Sequence, residues 1–341
     1  MRGGFRTAGS LRARRLFAPA SFSCPKGIVG GRTIWTVGAA GAVIYWTFCK
    51  INAEVKESTL RADGWRIGLP VGLIFLGLVV CGCATSSRSY LTKERLETGL
   101  VISLDGVGGY NWGPRWLRTG LDEAGILSAI MIYDWSMGPG GLFVGDLMDE
   151  TRNHTAANEL ARTVATYIAA MPNRPVTLIG HSGGAAVVVW ALEAMPKDCQ
   201  VDRAVLLAPA LAPNYNLSRA LRAVRKRMYV MHSPADVGLL AAGTAVFGTM
   251  DRRHSVSAGL VGFEVPGNLT PEERCEYAKI RQIRWTFDLV RAGNLGGHMG
   301  WTTTQFAREF IAPILIEKSD PGEPLLRDVP PAANGGTKGS G

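Results

Sequence analysis

From Leu100 onward, short apolar runs alternate with segments of helical period, and this alternation restricts the fold more than any other feature of the sequence. Leu100–Leu104 (LVISL) and residues 175–179 (PVTLI) are short and rich in branched side chains, whereas residues 156–171 place apolar side chains three or four positions apart. Strands and helices that alternate in this way build a parallel sheet covered by helices on both faces. The sequence therefore predicts an α/β fold, a three-layer sandwich whose mostly parallel sheet has about six strands.

The other predicted elements extend this pattern to residue 316. Further strands are predicted at residues 126–133, 203–207, 227–231 and 283–289, and further helices at 185–195, 217–225 and 303–314. The helix at 217–225 is basic and is expected to face solvent or anionic lipid. Beyond residue 316, Pro, Gly, Asp and Asn dominate without an apolar period, so residues 317–341 are predicted to be a disordered tail. Residues 98–316 are predicted to be one globular domain.

Residues 1–97 form a basic leader with two uncharged apolar segments, 33–49 and 67–83. Each segment has about the length, roughly 17 to 25 residues, that crosses a bilayer as a helix. The formal net charge of +9 comes from this leader, and residues 98–341 are balanced. Because the basic excess lies beside apolar segments, it favours a membrane partner and gives no support to nucleic-acid binding.

The second apolar segment ends in Val80-Cys81-Gly82-Cys83 before a polar stretch, and it resembles a bacterial lipoprotein signal peptide whose cleavage would leave Cys83 lipidated. This interpretation predicts a membrane-associated protein of the bacterial cell envelope. Two alternatives stay open: both segments span the membrane and are retained, or translation begins near residues 55–60. Cys199 and Cys275 are the cysteines outside the leader. They are expected either to form a disulfide or to be two separate buried thiols.

A serine stands among glycines between a predicted strand and a predicted helix, in Gly180-His181-Ser182-Gly183-Gly184. This is G-x-S-x-G at a strand-to-helix turn, the setting in which the motif exposes a nucleophile. The small residues let neighbouring backbone pass a strained turn without a side-chain clash. Ser182 is therefore the candidate nucleophile.

From about Leu100 to Ile314, the chain resembles the α/β-hydrolase family, in a reduced lipase- or esterase-like form without a cap. This resemblance implies a serine, then an acid after a later strand, then a histidine near the end of the domain. His298 stands in the family's position for the general base, and Asp236, just past the predicted fifth strand, in that for the acid. His154, His181 and His254 are expected to be structural or at the surface, and His232, which ends the predicted fifth strand, is too early for the base but could line the site. Asp251 is the competing candidate for the acid, whereas Asp288 is expected to be structural, within the sixth strand.

Backbone amides of two loops are expected to stabilise the oxyanion. The resemblance implies one donor from Gly183, the residue after the nucleophile, and one from the loop after the first strand, with Val107 expected and Gly108 as the alternative. Asp105 occupies this loop where lipases have histidine. Its carboxylate must turn toward the backbone if it is not to oppose the developing negative charge.

Together these residues predict acyl transfer. The expected substrate is a carboxylic ester, most simply an ester of a lipid or another acyl group. No metal or organic cofactor is predicted, since metal-ligand spacing and phosphate-binding glycine motifs are absent from the sequence. Apolar, glycine-bearing loops at 136–145 and 239–250 either form an acyl-binding rim or pack on the core. An acyltransferase with the same three residues and a non-catalytic envelope protein are the alternative functions, and the oligomeric state stays open.

Overall fold

The computed structural model describes residues 90–138, 143–236 and 248–325, and within these ranges a seven-stranded sheet lies at the centre. Its strands are β1 Leu100–Leu104, β2 Ala129–Ile132, β3 Val176–His181, β4 Val201–Leu207, β5 Val224–His232, β6 Ile280–Arg284 and β7 Glu323–Pro324. They are ordered β2-β1-β3-β4-β5-β6-β7. Neighbouring strands are parallel except β7, which is antiparallel to β6. The predicted α/β architecture is confirmed, with one strand more than expected.

Helices join the strands and cover the sheet. They are α1 Lys93–Thr98, α2 Trp112–Glu123, α3 Phe143–Met148, α4 Glu150–Ala170, α5 Gly183–Ala194, α6 Ser218–Arg222, α7 Ala258–Val261, α8 Pro271–Tyr277, α9 Thr304–Phe306 and α10 Ala312–Leu315. A π-helical stretch, Ala307–Ile311, joins α9 to α10. Between β4 and β5 the chain forms only the short helix α6, in line with the predicted lack of a cap at that point.

The core is centred on β1, β3 and β4, whose residues are all buried. Strands of a parallel sheet covered on both faces read as continuous apolar runs, which is why these strands were visible in the sequence. Helix α5 is buried along nearly its whole length and packs against α4. Its run Val187-Val188-Val189 is unfavourable for a helix by propensity, but burial on all sides outweighs that preference.

Two predicted elements differ from the structure. The sixth strand is Ile280–Arg284 rather than residues 283–289, because the chain turns into a 3₁₀ helix at Phe287–Ala292 that buries none of its residues. The basic helix predicted at 217–225 ends at Arg222, and the cations at 225–227 lie on β5. The reason is the pairing of Val224 with Val201 of β4, which starts the strand there.

The ordered fold extends beyond the predicted domain limits of 98 and 316. Before residue 98, helix α1 is tied to the sheet by Arg95, which donates to the backbone of Ile126 and Ser128. After residue 316, Glu317 pairs with Arg203 at 2.7 Å and with Lys226. Hydrogen bonds from Lys226 and Arg203 lower the pKa of Glu317 to about 2. These ion pairs join Glu317 to strands β4 and β5, far away in the sequence.

The apolar segments 33–49 and 67–83 and the predicted lipidation site Cys83 lie outside the described residues. Among the helices of the described ranges, none combines the length and the apolar character that crossing a bilayer requires. Cys199 and Cys275 are unbonded, the first half-buried and the second exposed. The structure therefore contains neither the disulfide nor two buried thiols.

Candidate active site

Ser182 lies between the end of β3 and the start of α5, in a backbone conformation that few residues adopt. Its φ of 53° and ψ of −119° place it outside the regions favoured by residues with a side chain. Its N–H donates to the carbonyl of Leu207 at 2.8 Å, and its carbonyl accepts from Ala185 and Ala210. Such strain persists only where surrounding contacts fix the backbone, and it is concentrated at functional sites.

The atoms around Gly180 and Gly184 leave no room for a side chain at either position. A Cβ on Gly180 would lie 2.6 Å from the carbonyl oxygen of Gly184. A Cβ on Gly184 would lie 2.2 Å from the carbonyl oxygen of Asp105 and 3.0 Å from the Leu104 side chain. Gly180 therefore lets the start of α5 approach β3, and Gly184 lets it approach the loop after β1.

Asp236 and His298 are brought together from loops that follow β5 and β6. Asp236 Oδ2 lies 2.5 Å from His298 Nδ1, and the Asp236 side chain is almost fully buried. A further hydrogen bond joins the two loops, from the Ser233 hydroxyl to the carbonyl of Gly296 at 2.6 Å. A carboxylate on Nδ1 keeps the proton on that nitrogen and leaves Nε2 free to act as a base.

His298 packs beside the turn at Ser182. Its ring lies 4.6 Å from that of His181, the residue preceding Ser182, and its carbonyl lies 3.0 Å from His181 Nε2. Within the described residues, the Ser182 hydroxyl makes no hydrogen bond. Catalytic hydrogen bonds are often long without substrate and tighten when it binds.

Burial is the main influence on the protonation of His298. It lowers the pKa of His298 below 6.5, the neighbouring His181 lowers it further, and Asp236 opposes both effects. The imidazole is therefore neutral at neutral pH, the form that accepts a proton.

The loop after β1 lies against the start of α5. Val107 Cγ1 would be 3.0 Å from a Cβ built on Gly183, so the two residues are neighbours. As the first residue of α5, Gly183 has no helical partner for its N–H, and the Val107 amide has no partner among the described residues. The amide of Gly108 is engaged by Asp146 Oδ2 at 2.8 Å, which leaves Val107 as the available donor.

Asp105 turns its carboxylate toward the backbone, as the oxyanion interpretation requires. Its Oδ1 accepts from the amide of Gly106 at 2.9 Å and lies 3.6 Å from His181 Nδ1. Its backbone carbonyl accepts from the indole N–H of Trp135 at 2.8 Å.

The competing residues occupy other environments. Asp251 accepts from the amide of Ala212 and the hydroxyl of Thr249, so it holds a loop together. Asp288 is exposed in a 3₁₀ helix rather than in a strand. The remaining histidines also lie elsewhere: His154, on the surface of α4, packs its ring at a tilt against that of Trp190, His232 ends β5, and His254 is exposed.

Sequence reasoning missed Asp146, Trp135 and Arg152, which contact the loop after β1 or its partners. No local pattern marks them, because each contact joins residues from different elements. Of the predicted glycine-rich loop 136–145, residues 143–145 belong to helix α3 and residues 139–142 lie outside the described residues, as does most of 239–250. No group of His, Cys, Asp or Glu in the described ranges is arranged to hold a metal ion.

A family model described as the alpha/beta hydrolase family matches residues 103–338. A search of curated proteins finds no match. Similar solved structures include an uncharacterized protein from Bacillus cereus ATCC 10987, with 16% identity over 80% of this chain and 69% of that chain and a TM-score of 0.39. A cutinase-like protein from Cryptococcus sp. has 14% identity over 65% and 94% of the two chains, with a TM-score of 0.35. The esterase Est2 of Thermogutta terrifontis, with propionate bound, has 14% identity over 70% and 89%, with a TM-score of 0.39.

Proposed function

Because this chain belongs to the alpha/beta hydrolase family, we propose that it is a serine hydrolase of carboxylic esters that works through an acyl-enzyme. Ser182 is the nucleophile, His298 the general base and Asp236 the carboxylate that orients it. The observation that carries the proposal is the strained turn at Ser182 beside a buried His298–Asp236 pair. A nucleophile, a base and an orienting acid are the parts that acyl transfer needs.

The reaction proceeds in two halves. His298 Nε2 takes the proton of Ser182 while the hydroxyl oxygen attacks the ester carbonyl, and the carbonyl electrons move to its oxygen. The amides of Gly183 and Val107 stabilise this oxyanion. Collapse of the intermediate breaks the bond to the alcohol, which leaves with the proton from His298. Water then attacks the acyl-enzyme through the same base and releases the acid and the free serine.

An apolar acyl group suits the surroundings of the turn at Ser182. Val107 contacts the position of Gly183 and places an apolar side chain beside the oxyanion amides. The exposed rings of Tyr110, on the same loop, and Trp112, at the start of α2, lie 5.1 Å apart. A lipid or acyl ester is therefore the proposed substrate class, since apolar walls with a few placed polar groups are typical of ligand pockets.

A chain-length series of p-nitrophenyl esters tests this function. We expect release of p-nitrophenol and free acid, with a preference for an acyl chain longer than acetyl. An acyltransferase would divert the acyl group to an added alcohol and form a new ester in place of the free acid. A protein that releases no p-nitrophenol from any ester of the series would contradict the proposal and favour the non-catalytic alternative.

The pH dependence of kcat/KM is expected to rise to a plateau with an apparent pKa below 6.5. His298 must be neutral to accept the proton, so activity is lost as pH falls through its pKa, and burial lowers that pKa. Initial rates at low substrate concentration, measured across a pH series, give the profile. His154→Gln is the control, because His154 lies on the surface of α4 and should leave the profile unchanged. A rising limb centred above 6.5 would contradict the buried, neutral base.

Membrane attachment through the leader stays a proposal from sequence. It predicts processing that leaves Cys83 as a lipidated amino terminus, and globomycin should block that processing. Accumulation of an unprocessed form in the presence of globomycin would support the lipoprotein interpretation over two retained spans.

A further inference from the structure

Hydrogen bonds connect two points of the loop after β1, Asp105 and Gly108, through side chains that come from the segment after β2 and from α3 and α4. The Trp135 indole N–H donates to the carbonyl of Asp105 at 2.8 Å, and Arg152 Nη2 donates to the carbonyl of Trp135 at 2.7 Å. Arg152 Nη1 contacts Asp146 Oδ1 at 3.3 Å, and Asp146 Oδ2 accepts from the amide of Gly108 at 2.8 Å. We call these five residues, Asp105, Trp135, Arg152, Asp146 and Gly108, the loop clamp.

Asp146 is the centre of the loop clamp. Its side chain is fully buried, and Oδ1 also accepts from the amide of Met137 at 2.7 Å. A buried carboxylate is costly unless hydrogen bonds and an opposite charge compensate it. Asp146 receives two backbone amides and a guanidinium, so its charge is satisfied by groups that it holds in place.

The loop needs an external support because its own residues give little stiffness. Gly106, Gly108 and Gly109 leave few side chains to pack, and Gly108 and Gly109 have φ of 94° and 61°, a conformation that favours glycine. The clamp fixes the loop on either side of Val107, at Asp105 and Gly108, and leaves the Val107 amide without a partner among the described residues. An unpaired amide between two fixed points is preorganised for a charge that forms during the reaction.

We propose that Asp146 and Trp135 are positioning residues that aim the Val107 amide at the oxyanion formed on attack by Ser182. This inference rests on the proposed function, because it assigns how one part of the same site is held. Neither side chain touches the reacting atoms, and both act through the loop. The loop clamp therefore contributes to the transition state more than to the binding of the ester.

Asp146→Asn and Trp135→Phe test the loop clamp. Asparagine keeps the shape but turns one acceptor into a donor facing an amide or a guanidinium, and phenylalanine removes the indole N–H that binds Asp105. We expect kcat to fall by about 10- to 100-fold in Asp146→Asn and about 5-fold or more in Trp135→Phe, because small misplacements and lost oxyanion donors act on the transition state. KM should change by less than about 3-fold.

Two inhibitors of equal acyl chain separate positioning from general loosening. A trifluoromethyl ketone adds to the serine as an anionic hemiketal and uses the oxyanion amides, whereas the matching methyl ketone binds without that charge. The inhibition constant of the trifluoromethyl ketone should rise in parallel with the loss of kcat, and that of the methyl ketone should stay within about 2-fold.

Tyr133→Phe is the matched control. Tyr133 directly follows β2, and its hydroxyl donates to the carbonyl of Ala156 at 3.1 Å without contacting the loop clamp. Both Tyr133→Phe and Trp135→Phe lose one hydrogen bond, but Trp135→Phe also leaves a cavity, because Trp135 is buried. Tyr133→Phe should therefore lower Tm by less than Trp135→Phe and leave kcat and both inhibition constants unchanged. If Asp146→Asn does not fold, Trp135→Phe decides the outcome by the same measurements.

The inference would be overturned if the clamp variants matched Tyr133→Phe in kcat and in both inhibition constants. The proposed function would still stand in that case, provided that the wild-type protein hydrolyses esters. Equal weakening of both ketones would also overturn it, since the effect would then lie in substrate binding. Wild-type protein that neither hydrolyses esters nor binds the trifluoromethyl ketone would overturn the proposed function and this inference together.

Discussion

Ser182→Ala is expected to lower kcat for ester hydrolysis by about 10⁴-fold or more, because no other group replaces the attacking hydroxyl. The folded state should survive, since within the described residues the Ser182 hydroxyl makes no hydrogen bond and alanine keeps the backbone contacts to Leu207 and Ala210. Rates with a p-nitrophenyl ester and Tm by calorimetry measure the two effects. Ser255→Ala is the control, because Ser255 is an exposed serine whose hydroxyl, among the described residues, bonds only to the neighbouring Val256 carbonyl. Retention of more than about 1% of kcat in Ser182→Ala would contradict the assignment.

Ser182→Gly adds a second readout from the same position. It also removes the hydroxyl, but glycine adopts the φ of 53° without the strain of a side chain. We expect Ser182→Gly to be as inactive as Ser182→Ala and to have the higher Tm of the two, because strain at active sites is held at the expense of stability. Equal Tm values would mean that the turn at Ser182 stores little strain.

Asp236→Asn is expected to lower kcat by about 10³- to 10⁴-fold while the protein remains folded. An amide at this place preserves the shape but favours the wrong tautomer of His298 and cannot stabilise its charged form. Asp288→Asn is the control, because Asp288 is the exposed carboxylate of the neighbouring 3₁₀ helix. A large loss in Asp288→Asn with less than about a 10-fold loss in Asp236→Asn would contradict the assignment of the acid.

Elements whose signals lie within a few neighbouring residues could be predicted from the sequence. Strand β1 has the predicted bounds, because a buried parallel strand is a continuous apolar run. Ser182 was identified from the strand, the glycines and the helix around it, and the resemblance supplied the order in which Asp236 and His298 follow. These signals lie within a few residues of each other or in the order of elements.

Elements with weak local signals were missed. Helix α2, Trp112–Glu123, was not predicted, because Gly113 and Pro114 stand in its first turn, where proline is tolerated but where the sequence reads as a break. It is fixed by burial of Leu117 and Leu121 against the core. Propensity is overridden here by tertiary packing.

Contacts between residues that are far apart in the chain could not be predicted from the sequence either. Asp146 reaches Gly108 across 38 positions, and Glu317 reaches Lys226 across 91. Such pairs have no period or motif, because their partners are defined only once the sheet has formed. The loop clamp and the docked residues after 316 are both of this kind, so only the structure could reveal them.

Mapping the adduct of a fluorophosphonate by mass spectrometry tests the central claim most directly. The probe reacts with a serine hydroxyl that a neighbouring base activates, so we predict one adduct, on the peptide that contains Ser182 and at that residue. His298→Ala should abolish the adduct, because the base is removed while the serine remains. An adduct at another residue, or wild-type protein that stays unlabelled, would contradict the assignment of Ser182 as a nucleophile activated by His298.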